Sequence, residues 1–135
     1  MESKRATILV VEDDVAILRM VQHLLRDVGF EVLTADSGPK ALAVESKWEQ
    51  PLDLLIADVV MPGMTGPELA TTMKDRRPEL RVILISGYPD GALLVLNPAW
   101  RFVGKPFLPR MLVNHVEAIL ADQAPGRLPG VHGSD

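Results

Sequence analysis

The 135-residue sequence predicts an α/β fold of the (βα)5 type, in which a doubly wound, five-stranded parallel sheet is covered by helices on both faces. Short apolar runs alternate with helical patterns along the chain, as expected when crossover helices join parallel strands. The apolar runs are nearly continuous, which is typical of strands that are buried on both faces.

Five segments are predicted to be strands because they are short, apolar and rich in β-branched residues. The first, ATILVV, and the fourth, RVILI, are the clearest, and the third, LLIAD, ends on an acid. In chain order the predicted strands are 6–11, 31–35, 54–58, 81–85 and 101–103.

Five helices fit between and after these strands. Gly29 follows a run of apolar residues at helical spacing and ends the first helix. Ser37 is expected to be the N-cap of the second helix, with Pro39 in its first turn. Thr65 and Glu68 have the spacing of a capping box at the start of the third. The predicted helices are 14–28, one with its body at 41–44, 67–74, a short one at 91–96, and 108–120.

The composition fits one domain. We expect an N-terminal extension at 1–5, a domain at 6–121 and a disordered tail rich in Gly and Pro at 122–135. The absence of cysteine excludes disulfides and thiol chemistry and fits a reducing compartment. The net charge of −4 argues against a nucleic-acid partner. Every apolar run is too short to span a membrane, so we expect no membrane contact and a cytoplasmic location.

Polar side chains collect where the predicted strands end. Glu12 and Asp13 follow the first strand, Asp58 ends the third, Ser86 follows the fourth and Lys105 follows the fifth. The carboxyl ends of parallel strands share one edge of a sheet, where ligands of such folds bind. Two like charges ~4 Å apart repel by about 4 kcal/mol at an effective dielectric near 20, so the acids need a cation. Mg²⁺ fits an oxygen site with retained waters, and Asp58 is then a candidate nucleophile for in-line phosphoryl transfer.

Four motifs at these strand ends resemble the receiver domain of two-component response regulators, the CheY-like family. They are VEDD at 11–14, D with MPGMTG at 58–66, SG at 86–87 and KPF at 105–107. The resemblance extends from about residue 6 to residue 120. It implies the flavodoxin-like strand order 2-1-3-4-5.

The resemblance also implies roles for the acids and the lysine. Asp58 would be the phosphoacceptor and Lys105 the lysine that binds the phosphoryl group. Glu12 and Asp13 would bind Mg²⁺ together with Asp58 and the main-chain carbonyl of Val60. Glu12 departs from the family pattern, in which aspartate is commoner at this position.

The same resemblance implies a conformational switch. Ser86 would be the switch hydroxyl, Phe102 the switch aromatic, and the bond between Lys105 and Pro106 would be cis. The phosphoryl group would draw Ser86 toward it and Phe102 would turn inward, which changes a protein-binding surface. The segment between Ser86 and Lys105 is short for the family and resembles receiver domains at the C-terminus of hybrid histidine kinases.

The function that follows is that of a phosphorylated signalling domain rather than an enzyme, apart from its own phosphorylation and dephosphorylation. The expected donor is a histidine kinase or a histidine phosphotransfer protein. Two alternatives stay open. A phosphatase with an aspartyl phosphate intermediate often has a second acid where this chain has Val60. A flavodoxin-like cofactor-binding module would have a phosphate-binding loop where this chain has three acids in a row.

Overall fold

The computed structural model describes residues 5–87 and 99–121. Five parallel strands form one sheet in the order β2-β1-β3-β4-β5, which confirms both the predicted fold class and the predicted strand order. The strands are β1 (Thr7–Val11), β2 (Glu31–Ala35), β3 (Leu54–Asp58), β4 (Arg81–Ser86) and β5 (Arg101–Gly104).

Four helices lie within the described residues. They are α1 (Val15–Val28), α2 (Gly38–Lys47), α3 (Gly66–Arg76) and α4 (Pro109–Ala121). The short helix predicted at 91–96, the first four residues of the predicted extension and the predicted tail at 122–135 lie outside the described residues. None of these four helices has the length and apolar character that crossing a membrane requires.

The helix ends follow the signals that the sequence carries. The Asp14 carboxylate accepts hydrogen bonds from two N–H groups of the first turn of α1, and Ser37 caps α2. Thr65 and Glu68 form the predicted capping box at the start of α3. Gly29 ends α1 in the left-handed region, with φ of 115°, where glycine is favoured.

Two apolar layers hold the helices on the sheet. Alternate strand residues such as Ile8 and Ile56 pack with α1 and α4 on one face, and Leu9 and Leu55 pack with α2 and α3 on the other. Strands β1 and β3 are buried along their whole length, as their continuous apolar sequences predict. This packing fixes the central strands, and with them the side chains at their carboxyl ends.

Candidate functional site at the carboxyl edge of the sheet

The structure brings five of the predicted polar side chains to one edge of the sheet. Asp58 and Ser86 are the last residues of β3 and β4, while Glu12 and Asp13 directly follow β1 and Lys105 directly follows β5. The parallel register, with Val11 opposite Ala57 and Asp58 opposite Ile85, aligns these strand ends. Their position at the edge therefore results from the strand lengths and the register, not from a long loop.

The three acids converge on one another. One carboxylate oxygen from each of Glu12, Asp13 and Asp58 lies within 4.8 Å of the others. The Glu12 and Asp58 side chains are buried, whereas Asp13 is exposed to solvent. Buried carboxylates this close together are costly unless a cation compensates their charge.

Lys105 supplies part of that compensation. Its Nζ lies 3.0 Å from Asp58 Oδ2, to which it donates a hydrogen bond, and 3.6 Å from Glu12 Oε1. Burial alone would lower the pKa of Lys105, but the neighbouring Asp58 and Glu12 carboxylates more than offset that effect and raise it. Lys105 is therefore held as a cation between the two buried acids.

One lysine does not satisfy both acids. Glu12 Oε1 and Asp58 Oδ1 are buried and accept no hydrogen bond from residues 5–87 and 99–121. The second oxygen of Glu12, Oε2, accepts a hydrogen bond from the Asp14 backbone N–H at 3.0 Å. Burial raises the pKa of Glu12 to about 7, the Asp14 hydrogen bond opposes the rise, and Asp58 adds to it.

The two carboxylate oxygens without a hydrogen bond indicate whether these residues fit a divalent cation. An all-oxygen donor set with excess negative charge and two buried, unpartnered carboxylate oxygens matches the ligands that Mg²⁺ prefers. Asp13, which is exposed, leaves room for the waters that Mg²⁺ retains. The residues present therefore fit the ion that the sequence predicts.

A cavity of about 310 Å³ opens beside the acids. Asp58, Ser86 and Lys105 line it together with Val60, whose side chain points largely to solvent and is 63% exposed. The cavity thus combines a carboxylate, a hydroxyl and an ammonium group, which is the chemistry needed to hold a phosphoryl group.

The residues predicted to form the switch lie on the last two strands. Ser86 is buried, and its main-chain carbonyl accepts a hydrogen bond of 2.8 Å from the Lys105 backbone N–H. Phe102 lies opposite Leu84 in the register and is half-buried against the core layer under α2 and α3. The peptide bond between Lys105 and Pro106 is cis, as the resemblance implies.

The sequence predicts only a turn at one residue of this site, Gly66. Gly66, at the start of α3, packs directly on the main chain of Asp58, and its N–H donates a hydrogen bond to the Val59 carbonyl. The sequence contains one signal for this contact, a glycine between the two capping-box residues. A helix start does not itself require glycine, so a glycine there indicates close packing.

The family model of the response regulator receiver domain matches residues 8–117. The chain belongs to this family. As a receiver domain it is a signalling domain and not a typical enzyme. This membership favours the receiver interpretation over the phosphatase and flavin-binding alternatives that the sequence left open.

Receiver domains from two kinds of protein are similar to this one. The response regulator receiver protein CpdR of Brucella abortus is 37% identical over 119 residues, which cover 84% of this chain and 95% of CpdR. The sensor kinase CckA of the same organism is 34% identical over 124 residues, which cover 90% of this chain. This chain spans 13% of that kinase's length.

The solved structures agree with this assignment. A crystal structure of the receiver domain of the hybrid histidine kinase CckA superposes with a TM-score of 0.74 at 36% identity, covering 85% of this chain and 99% of that domain. Receiver domains interact with histidine kinases or phosphotransfer proteins and generally use Mg²⁺ at an acidic pocket. This receiver domain has such an acidic cluster in Glu12, Asp13 and Asp58.

Proposed function

We propose that this receiver domain accepts a phosphoryl group on Asp58 from the phosphohistidine of a histidine kinase or histidine phosphotransfer protein. The main support is the buried Asp58 carboxylate, in which one oxygen is bonded to Lys105 at 3.0 Å and the other has no hydrogen-bond partner in the part of the chain that the structure describes. The unpartnered oxygen belongs to a residue that lines an open cavity. A carboxylate held this way has a fixed orientation and keeps one oxygen that is not committed to a hydrogen bond among the described residues.

In the proposed reaction, a carboxylate oxygen of Asp58 attacks phosphorus in line with the leaving nitrogen of the donor histidine. The new P–O bond makes an acyl phosphate and the P–N bond breaks. The electron pair returns to the imidazole, which takes up a proton from solvent. Lys105 stays cationic and neutralises charge on the phosphoryl oxygens, and the Ser86 hydroxyl donates to another of them.

Mg²⁺ would be held by the carboxylates of Glu12, Asp13 and Asp58 and by the main-chain carbonyl of Val60. When bound, it would offset the repulsion between the acids and the incoming phosphoryl group. Glu12 Oε1 accepts no hydrogen bond from the described residues, and the Asp14 N–H holds the other oxygen of Glu12 in place. Metal binding would also require Glu12 in its ionised form.

The proposed output is a change in a protein-binding surface. Ser86 would move toward the phosphoryl group and Phe102 would turn inward from its half-buried position beside Leu84. Since β4 and β5 are neighbouring, hydrogen-bonded strands, a movement of Ser86 at the end of β4 would also shift β5. The cytoplasmic location expected from the sequence stays a prediction.

Incubation with acetyl phosphate and Mg²⁺, followed by intact mass measurement, tests the proposal. The wild type should gain the mass of one phosphoryl group, and the gain should disappear in Asp58→Asn or when EDTA is added. Asp75→Asn, which removes an exposed acid on α3, is the matched control and should be labelled like the wild type. Equal labelling of Asp58→Asn would refute the assignment of the phosphoacceptor.

A further inference from the structure

Two buried glycines begin helices at the carboxyl edge of the sheet. Gly38 is the first residue of α2 and Gly66 is the first residue of α3. Neither has a positive φ, which the structure shows only for Gly29 and Gly63 among its described residues. Alanine is a better helix former than glycine, so the backbone does not explain why glycine stands at either position. The explanation has to come from packing.

Gly66 is in close contact with the main chain of the proposed phosphoacceptor. A Cβ added at Gly66 would overlap the main-chain oxygen of Asp58 and lie 2.9 Å from its carbonyl carbon. These are backbone atoms at the end of a fully buried strand, so they have no rotamer by which to move aside. The Gly66 N–H also donates a hydrogen bond of 3.0 Å to the Val59 carbonyl.

Gly38 packs against Met64, in the chain segment between Asp58 and Gly66. A Cβ added at Gly38 would lie 2.7 Å from Met64 Sδ and 2.8 Å from Met64 Cβ. The sulfur is at the far end of a flexible side chain and can rotate away. The Cβ is bonded to the main chain, so relief of that contact requires the loop backbone itself to shift.

We propose that Gly38 and Gly66 are positioning residues that fix the loop of residues 59–65, here called the phosphoacceptor loop. The loop leaves β3 after Asp58, carries Val60 in the cavity wall and returns to Gly66. Glu12 and Lys105 follow other strands, β1 and β5, so a shift of this loop would move part of the proposed metal and phosphoryl site relative to the rest. The inference rests on the proposed function of Asp58 as phosphoacceptor.

A variant cycle at the Gly38 contact tests the proposal away from the proposed ligands. Gly38→Ala should weaken Mg²⁺ binding, measured by calorimetry, roughly 10- to 100-fold, the range seen when groups that orient metal ligands are removed. Labelling by acetyl phosphate should slow as well. In the Met64→Gly background, where the contact no longer exists, Gly38→Ala should change Mg²⁺ affinity by less than about twofold.

Gly29→Ala is the control for a loss of stability without a loss of position. Gly29 has φ of 115° and ends α1 at the opposite edge of the sheet, so alanine there is strained but remote from the loop. It should lower the unfolding free energy and leave Mg²⁺ affinity unchanged. Gly66→Ala provides a second test, provided that its circular dichroism shows a folded chain, and should also bind Mg²⁺ more weakly.

The results separate this proposal from the proposed function. If the wild type is labelled at Asp58 and Gly38→Ala binds Mg²⁺ and is labelled as well as the wild type, the positioning role is wrong and the proposed function stands. The same holds if Gly38→Ala is equally harmful in both backgrounds. If the wild type is not labelled, the proposed function fails, and the Mg²⁺ affinities of the cycle still decide whether the two glycines position the loop.

Discussion

Three carboxylates are buried in the part of the chain that the structure describes, and their partners distinguish them. Both oxygens of Glu45 are bonded, one to Arg76 at 2.6 Å and the other to Arg77 at 2.7 Å. Glu12 and Asp58 share one lysine, and each has one oxygen that accepts no hydrogen bond from the described residues. Buried acids with a structural role are expected to have both oxygens hydrogen-bonded, as Glu45 does. Buried acids with an oxygen that lacks a hydrogen bond, such as Glu12 and Asp58, require a functional explanation.

At the residue scale, Glu12 makes the metal-free protein sensitive to pH. Its pKa is raised from 4.5 to about 7 by burial, so the folded state binds this proton more tightly than the unfolded chain does. The resulting stabilisation is complete below about pH 4.5 and is lost as the pH rises through about 7. Glu12→Gln stays neutral and should therefore become more stable relative to the wild type, by about 1–3 kcal/mol on going from pH 5 to pH 8.

Urea unfolding in EDTA at both pH values measures this effect. The matched control is Glu79→Gln, which removes an exposed carboxylate and should show the same difference from the wild type at both pH values. A difference between Glu12→Gln and the wild type that does not grow with pH would contradict the assignment.

At the element scale, the strands and helix starts were predictable because their signals are local. Continuous apolar runs marked the strands, and Asp14, Ser37 and the Thr65–Glu68 pair marked the caps. The C-terminal end of α2 was not predictable in this way. The structure extends it to Lys47, beyond the predicted helix body, and in this added part Glu45 is bonded to arginines about 30 residues later in the chain. No local pattern reports such a contact.

The cluster of Glu45, Arg76 and Arg77 should stabilise the packing of α2 on α3. Burial alone would raise the pKa of Glu45, but the hydrogen bonds from Arg77 and Arg76 lower it below its ordinary value. Glu45→Gln should lower the unfolding free energy at neutral pH by about 1–3 kcal/mol, less than the cost for a fully buried pair because Arg76 is partly exposed. The loss should shrink as the pH falls through the pKa of Glu45, because acid removes the same charge from the wild type.

Chemical denaturation of Glu45→Gln beside Glu49→Gln measures this contribution. Glu49 is exposed and lies just after α2, so its substitution should have little effect. Phosphorylation of Glu45→Gln by acetyl phosphate should match that of the wild type, since the cluster is remote from the carboxyl edge. Equal stability of the two variants would show that the cluster contributes nothing measurable.

At the scale of the whole molecule, the candidate site was predictable because topology brings it together. The carboxyl ends of parallel strands meet at one edge, so Glu12, Asp13, Asp58, Ser86 and Lys105 could be grouped from the strand pattern alone. The raised pKa of Glu12, the unpartnered oxygens and the two glycine contacts could not be predicted. They depend on burial and on differences of tenths of an ångström between interatomic distances, which the sequence pattern does not specify.

The proposed switch also acts across the molecule. Ser86 ends β4, whose Leu84 lies opposite Phe102, and Trp100 is buried in the same core layer just before β5. In a Trp48→Phe background, which leaves Trp100 as the only tryptophan, phosphorylation should change the tryptophan emission. Ser86→Ala should still be phosphorylated but lose most of this change, because Lys105 still holds the phosphoryl group.

Ser46→Ala, an exposed serine on α2, is the control for this experiment and should keep the full emission change. If Ser86→Ala also keeps it, Ser86 does not couple the phosphoryl group to the last two strands.

Phosphorylation of Asp58 is tested most directly by locating the phosphoryl group chemically. Borohydride reduces an acyl phosphate of aspartate to homoserine, which marks the residue permanently for peptide mass spectrometry. After treatment with acetyl phosphate and Mg²⁺, we predict homoserine at position 58 and unmodified aspartate at position 13 in the site and at position 53 just before β3. Homoserine in place of another aspartate, or a phosphoryl label that borohydride does not remove, would contradict the assignment of Asp58 as the phosphoacceptor.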